Sequence, residues 1–262
     1  MENKKIYFAS DIHLGLPNHA DSLVREKKFV AFLDEIKKDA KEIYLLGDVF
    51  DFWHEYKHVV PRGYVRFLGK IAEIVDSGIP VHFFTGNHDI WVYDYLPSEL
   101  GVIIHRKPLE IKLDDKSFYL AHGDGLGPWD KGFKFMKWGF TNPILQWFFA
   151  RLHPNFAVGL ANFLSRKNRY AESEDEKVFK GEDKEWLVLY SKDILQKQHF
   201  DFFIYGHRHI PVELNIGENS KYINLGDWIH HFTYAVFDGE DLELKNIDGS
   251  IHTVSSSAVE NT

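Results

Sequence analysis

The first hundred residues alternate between short apolar runs and longer amphipathic stretches. Three of the runs end at polar residues and predict buried strands, at residues 5–10, 43–46 and 81–85. Between them, residues 21–40 and 64–77 repeat apolar side chains at helical spacing. Strands that alternate with helices favour parallel pairing, so the pattern predicts a layered α/β fold.

The rest of the chain carries closely spaced strand-like runs and one segment of different character. The runs lie at 102–105, 109–113, 118–121, 202–205, 212–216, 222–225, 234–237 and 242–245, and a long helix is predicted at 176–198. Residues 132–167 predict two or three short helices, interrupted at Asn142-Pro143 and His153-Pro154. We interpret residues 1–250 as a single domain with a helical insertion at about 130–170, followed by a flexible tail at 251–262.

Composition excludes several classes of function. Apolar residues make up 44% of the 262 residues and charged residues 27%, which is usual for a folded domain. The net charge of −8 argues against a nucleic-acid binder, which needs a basic face. The absence of cysteine excludes disulfides, thiolate zinc sites and thiol catalysis. No signal peptide and no run of about 20 apolar residues is present, so we expect a cytosolic protein with membrane contact at its surface.

Five of the predicted strands are followed directly by short segments rich in Asp, His and Asn. In chain order these segments are Asp11-Ile12-His13, Gly47-Asp48, Gly86-Asn87-His88-Asp89, His122-Gly123-Asp124 and Gly206-His207-Arg208-His209. Ligands of open α/β sheets bind at the carboxyl ends of the strands, so the five ends predict one shared rim. The candidate ligands on that rim are Asp11, His13, Asp48, Asn87, His122, His207 and His209.

These residue types indicate a site for two divalent cations. Carboxylate, amide and imidazole donors suit Mn²⁺, Fe²⁺ or Zn²⁺, and seven ligands are too many for one ion. Two neighbouring ions bind a phosphate oxygen, generate a nucleophile and stabilise in-line displacement. In an extended backbone, Asp11 and His13 point to the same side, as do His207 and His209. The adjoining glycines, at 47, 86, 123 and 206, predict tight turns beside the site.

Together the five segments resemble the motif set of the calcineurin-like metallophosphoesterases, from residue 6 to about residue 245. This resemblance implies an α/β fold with a sandwich of two sheets flanked by helices. It implies one ion bound by Asp11, His13, Asp48 and His209, and a second bound by Asp48, Asn87, His122 and His207, with Asp48 bridging. It also implies that His88 protonates the leaving oxygen while Asp89 orients it. The alternative is that His88 only forms hydrogen bonds within its loop.

The insertion suggests the substrate class. Its aromatic side chains are interleaved with basic ones, so the segment is net basic in an acidic protein. A basic, aromatic helical lid suits an anionic lipid and a membrane surface. The alternatives are a helical hairpin packed on the core and a dimer contact.

Further features resemble one subgroup of the family, the UDP-2,3-diacylglucosamine pyrophosphatases of lipid A synthesis. They are Phe50-Asp51-Phe52-Trp53, Asp124 with Leu126 and Asp130, the basic end of the insertion at 166–169, and Leu225-Gly226-Asp227-Trp228. The subgroup hydrolyses UDP-2,3-diacylglucosamine to 2,3-diacylglucosamine 1-phosphate (lipid X) and UMP, favours Mn²⁺, and is cytoplasmic and peripherally associated with the inner membrane. The resemblance implies acyl chains beneath the insertion and substrate contacts from Asp130, Arg166, Asn168 and Arg169.

One residue departs from the best-known branch of that subgroup, which carries Arg after the metal-binding Asn where this chain has His88. An Arg binds a phosphate with a permanent charge, whereas a His also donates a proton. Three hypotheses therefore stay open: a lipid pyrophosphatase, a soluble phosphodiesterase or protein phosphatase of the same family acting on another phosphoester, and a non-enzymatic binder. The identity of the metal and the oligomeric state also stay open.

Overall fold

A computed structural model describes residues 4–128, 131–171 and 178–252; the side chains of 131–133, 135, 162 and 164–171 are outside this description. The strands are β1 (Lys5–Ala9), β2 (Ala40–Leu46), β3 (Val81–Phe84), β4 (Ile103–His105), β5 (Leu109–Leu113), β6 (Lys116–Leu120), β7 (Phe202–Tyr205), β8 (Pro211–Asn215), β9 (Lys221–Leu225), β10 (Thr233–Phe237) and β11 (Leu242–Asn246). The helices are α1 (His19–Ile36), α2 (Val65–Asp76), α3 (Tyr95–Leu100), α4 (Lys131–Thr141), α5 (Pro143–Phe149), α6 (Pro154–Ala171) and α7 (Trp186–Leu195).

The strands form two mixed sheets, which confirms the predicted α/β class. The first sheet has the order β11-β10-β1-β2-β3-β4, and β1 to β4 are parallel as predicted. The second has the order β5-β6-β7-β9-β8, in which β6, β7 and β9 are parallel and the two edge strands are antiparallel. The candidate ligands follow the carboxyl ends of the parallel strands.

Alternating side chains of the first sheet supply two separate cores. On β1, Ile6 and Phe8 face the second sheet and pack with residues such as Phe118, whereas Tyr7 and Ala9 face the other way, into the cluster that includes α1 and α2. A third cluster lies between the second sheet and α7. The layers are therefore helix, sheet, sheet and helix.

Two predicted helices have different bounds in the structure. The first begins at His19, where the side chain of Asn18 accepts a hydrogen bond from the amide of Asp21, and it ends before Ala40, which pairs with Lys5 in the first sheet. The helix predicted at 176–198 is confined to Trp186–Leu195, because 178–185 form turns and 172–177 are outside the described residues. The tail at 253–262 also lies outside them.

The insertion forms three helices that are separated at the two prolines, as predicted; α4 and α5 are short, whereas α6 spans 18 residues. Helix α5 begins at Pro143, where the side chain of Asn142 accepts a hydrogen bond from the amide of Ile144, and α6 begins at Pro154. Proline suits the first turn of a helix because that turn needs no amide donor there. Among the described residues, no helix has the length and apolarity needed to cross a membrane.

Candidate metal centre

The two sheets bring all seven predicted ligands together. Asp11, His13, Asp48 and His209 each offer a ligand atom, and these four atoms lie within 4.8 Å of one another. Asp48, His122 and His207 form a second such group. Asn87 adjoins that second group, because its Oδ1 lies 3.3 Å from His122 Nε2. Asp48 belongs to both groups, as the predicted bridging position requires.

The residues of the first group fit a bound cation. Asp11 is fully buried, and its Oδ1 has no hydrogen-bond partner among the described residues. That oxygen lies 3.0 Å from His209 Nε2, which is itself 3.1 Å from His13 Nε2. An oxygen and two imidazole nitrogens this close together, with no hydrogen bond to the buried oxygen, fit the donor set of a divalent ion, which would supply the missing positive charge.

Partners outside the two groups orient the imidazole rings. His122 donates its Nδ1–H to the carbonyl oxygen of Leu46 over 2.7 Å, which leaves Nε2 as the ring nitrogen that faces Asp48, at 3.3 Å. Oδ1 of Asp51 lies 3.4 Å from Nδ1 of His13. Oδ2 of Asp227 lies 3.6 Å from Nδ1 of His209. Such contacts fix the tautomer of a metal-binding histidine. Sequence reasoning quoted Asp51 and Asp227 without this role, which only the tertiary contacts reveal.

The backbone is left-handed at five of the seven candidate ligands, so the extended geometry predicted for 11–13 and 207–209 is wrong. The φ angles are 54° at Asp11, 48° at His13, 51° at Asp48, 67° at His207 and 54° at His209. Residues other than glycine seldom adopt this conformation, and it persists only where the surrounding structure enforces it. At these five positions the extended strand conformation is therefore interrupted, and the local backbone sets the direction of the ligand side chain.

The four glycines beside the ligands serve two purposes. Gly47 and Gly123, with φ of 89° and 129°, form the predicted turns. Gly86 and Gly206 have no positive φ; they let two chain segments approach closely instead. A Cβ atom on Gly206 would lie 2.6 Å from Ser10 Oγ and closer still to an oxygen of Asp11, so only glycine fits behind that carboxylate.

The pKa values at the site reflect a competition between burial and neighbouring charges. Burial lowers the pKa of His122, but the carboxylates of Asp48 and Asp11 outweigh burial and raise it to about 10. Burial raises the pKa of Asp48, yet the rings of His122 and His88 hold it well below its usual range. Burial and the neighbouring His122 lower the pKa of His207 to about 4. Potentials that hold a proton on a buried imidazole also attract cations.

His88 lies at the edge of the site, with its side chain 20% exposed. It donates Nδ1–H to the carbonyl oxygen of Asp51 over 3.0 Å, so Asp51 provides the orienting contact expected from Asp89. Asp89 is fully buried. It accepts hydrogen bonds from the backbone amides of Gly86, Val49 and Phe50. Asp89 therefore fixes the loop that carries His88.

The predicted substrate contacts cannot be located in the same way. Asp130 lies outside the described residues, as do the side chains of Arg166, Asn168 and Arg169. The backbone of these last three residues belongs to α6.

The chain is similar to a known protein family and to several named proteins. The family model for the Calcineurin-like phosphoesterase matches residues 4–211. The chain is 40% identical to a UDP-2,3-diacylglucosamine hydrolase of Porphyromonas gingivalis over 93% of this chain and 98% of that protein. It is 27% identical to the UDP-2,3-diacylglucosamine hydrolase of Vibrio atlanticus, with 92% and 97% covered. Among solved structures, Vps29 of Chaetomium thermophilum aligns with a TM-score of 0.46 at 9% identity, covering 97% of this chain and 95% of that one.

The family match spans both sheets up to the start of β8 and includes every candidate ligand. The chain belongs to the calcineurin-like phosphoesterase family and is a metal-dependent hydrolase.

Proposed function

We propose that the protein hydrolyses the pyrophosphate of UDP-2,3-diacylglucosamine to give 2,3-diacylglucosamine 1-phosphate and UMP. The observation that carries this proposal is 40% identity, over nearly the whole of both chains, with the hydrolase of that name. The complete set of Asp, His and Asn side chains at the centre supports catalysis rather than binding alone.

Two divalent ions are proposed as the cofactor. Asp11, His13, Asp48 and His209 would hold the first, and Asp48, Asn87, His122 and His207 would hold the second. Oxygen and imidazole donors suit Mn²⁺, which we propose as the native ion, with Fe²⁺ and Zn²⁺ as alternatives. When bound, such a pair neutralises phosphate oxygens and activates water. The chain's own contribution is to hold the donors in place before substrate arrives.

His88 is proposed as the proton donor to the leaving oxygen. Its Nδ1–H is engaged by the carbonyl oxygen of Asp51, so Nε2 is the nitrogen that would carry the transferred proton. Asp51 and Asp89 would act as positioning residues, one on the ring and the other on the backbone of the loop. Because a donor must lie beside the bond that breaks, the exposure of His88 at the edge of the site supports this role.

The insertion is proposed to bind acyl chains and a membrane surface. Its outward aromatic side chains are strongly exposed, with Trp147 at 51%, Phe148 at 61%, Phe156 at 60% and Phe163 at 64%. An exposed apolar surface of this kind marks a binding region. Arg151 stacks 3.1 Å above the ring of Trp147 and adds a cation for anionic lipid.

These features support a cytoplasmic enzyme attached peripherally to the inner membrane. The substrate contacts proposed for Asp130, Arg166, Asn168 and Arg169 belong to the same hypothesis.

The decisive assay is UMP release from UDP-2,3-diacylglucosamine with and without Mn²⁺. We expect Mn²⁺-dependent release that Asp48→Asn abolishes, because the bridging carboxylate is lost. Asp76→Asn, which changes an exposed carboxylate on α2, is the control and should retain activity. Good turnover of a simple phosphodiester, with no UMP released from the lipid, would reject the proposed substrate and favour a soluble phosphodiesterase.

A further inference from the structure

The insertion is attached to a loop that carries a candidate ligand. Trp91, four residues beyond Asn87, is 8% exposed and donates its Nε1–H to the carbonyl oxygen of Phe140 at the end of α4, over 2.7 Å. Its ring also packs 4.6 Å from that of Phe149 on α5. These contacts fix the position of α4 relative to the site.

Lys137 projects from α4 toward a second ligand-bearing loop. Its ammonium lies 2.5 Å from Oδ2 of Asp124, two residues beyond His122. The side chain of Asp124 is only 5% exposed, whereas that of Lys137 is 37% exposed. A buried carboxylate thus holds the end of a flexible lysine at one place, while part of the lysine stays open to solvent.

The ion pair of Lys137 and Asp124 lies beside the candidate metal centre. Lys137 and Asp124 line the same narrow cleft as His122, a candidate ligand of the second ion. An ammonium has three N–H donors, and a single carboxylate oxygen occupies one of them. A cation with donors beside a phosphate-binding centre is suited to a second phosphate group joined to the first.

We propose that Lys137 binds the phosphate of a diphosphate substrate that the metal ions do not hold, and that Asp124 is its positioning residue. This inference rests on the proposed function, because a diphosphate presents a second phosphate joined to the one that the ions hold. It would make the insertion a determinant of specificity between diphosphates and simple phosphodiesters, in addition to its proposed contact with lipid.

The test compares two soluble ligands that differ by one phosphate, UDP and UMP. Their dissociation constants are measured by isothermal titration calorimetry on the Mn²⁺-loaded protein. We expect the wild type to bind UDP more tightly than UMP, and Lys137→Met to reduce this preference by roughly 10- to 100-fold, as for the loss of one charge-assisted hydrogen bond. Lys137→Arg should keep most of the preference.

Lys134→Met is the matched control, since Lys134 is exposed on the same helix and its ammonium contacts the carbonyl oxygen of Gly127. It should leave the preference for UDP unchanged. An unchanged preference in Lys137→Met, or equal binding of UDP and UMP by the wild type, would overturn the proposal. Failure of the lipid assay alone would reject the proposed substrate without altering this ratio, so the two failures are distinguishable.

Discussion

His54 is a buried histidine whose protonation we expect to destabilise the protein in acid. The residue is 2% exposed and packs against the rings of Tyr56, Trp91 and Phe149. Its Nδ1 has no hydrogen-bond partner among the described residues. Burial lowers the pKa of His54 from 6.5 to about 4, because the charged ring would lose its hydration.

The sign and size of the effect follow from this shift. The unfolded chain takes up the proton near pH 6.5, whereas the folded protein resists it until about pH 4. The contribution of His54 to stability is therefore complete above pH 6.5 and is lost as the pH falls toward 4. At 1.36 kcal/mol per pKa unit, the loss by pH 4 is about 3 kcal/mol. A typical domain has a net stability of only about 5–15 kcal/mol, so the change is measurable.

Urea unfolding at pH 7 and pH 4 measures this loss when the wild type is compared with His54→Phe. The variant keeps an aromatic ring but cannot be protonated. The wild type should lose about 3 kcal/mol more than the variant between the two pH values. Release of bound cations and titration of other histidines occur in both proteins and cancel in the difference. Parallel stability profiles for the two proteins would refute the assignment to His54.

Three further substitutions test the site and the insertion. His88→Ala should slow hydrolysis by roughly 10²–10⁴-fold, the usual contribution of a proton donor, while the metal content stays unchanged; undiminished turnover would remove His88 from the mechanism. Gly206→Ala should weaken Mn²⁺ binding by roughly 10- to 100-fold, because the added Cβ displaces the carboxylate of Asp11. Gly217→Ala is the control and should leave Mn²⁺ binding unchanged, because a Cβ there would have no neighbour closer than 3.6 Å. Phe148→Glu should reduce the amount of protein that sediments with anionic phospholipid vesicles by about 10-fold or more. Val24→Glu on α1 is the control and should have no effect. Equal sedimentation of both variants would reject a membrane contact at α5.

The candidate ligands could be predicted from the sequence because each follows a buried strand directly. Parallel strands end at a common edge, so a polar segment after each of them predicts a shared site without knowledge of the strand order. The break at Pro143 and at Pro154 was predictable for a similar reason, since proline marks the first turn of a helix. Local signals of this kind need no tertiary information.

The remaining features depend on contacts between distant residues. Ala40 is a strong helix former, but pairing with Lys5 places it in β2. The role of Asp51 beside His88 depends on how two loops meet, whereas the family resemblance implied Asp89. The left-handed backbone at five of the ligands has only a weak sequence signal. Asp and His adopt it more often than most residues, but still rarely, so residue type alone does not locate it.

The centre takes its side chains from both sheets, and this has a consequence for unfolding. Asp11, Asp48 and Asn87 follow strands of the first sheet, whereas His122 and His209 follow strands of the second. Each bound ion would therefore cross-link the two sheets, and neither sheet could separate from the other without releasing metal. Cation concentration should set the melting temperature of the whole sandwich rather than of one loop, and chelation should lower the cooperativity with which the two sheets unfold.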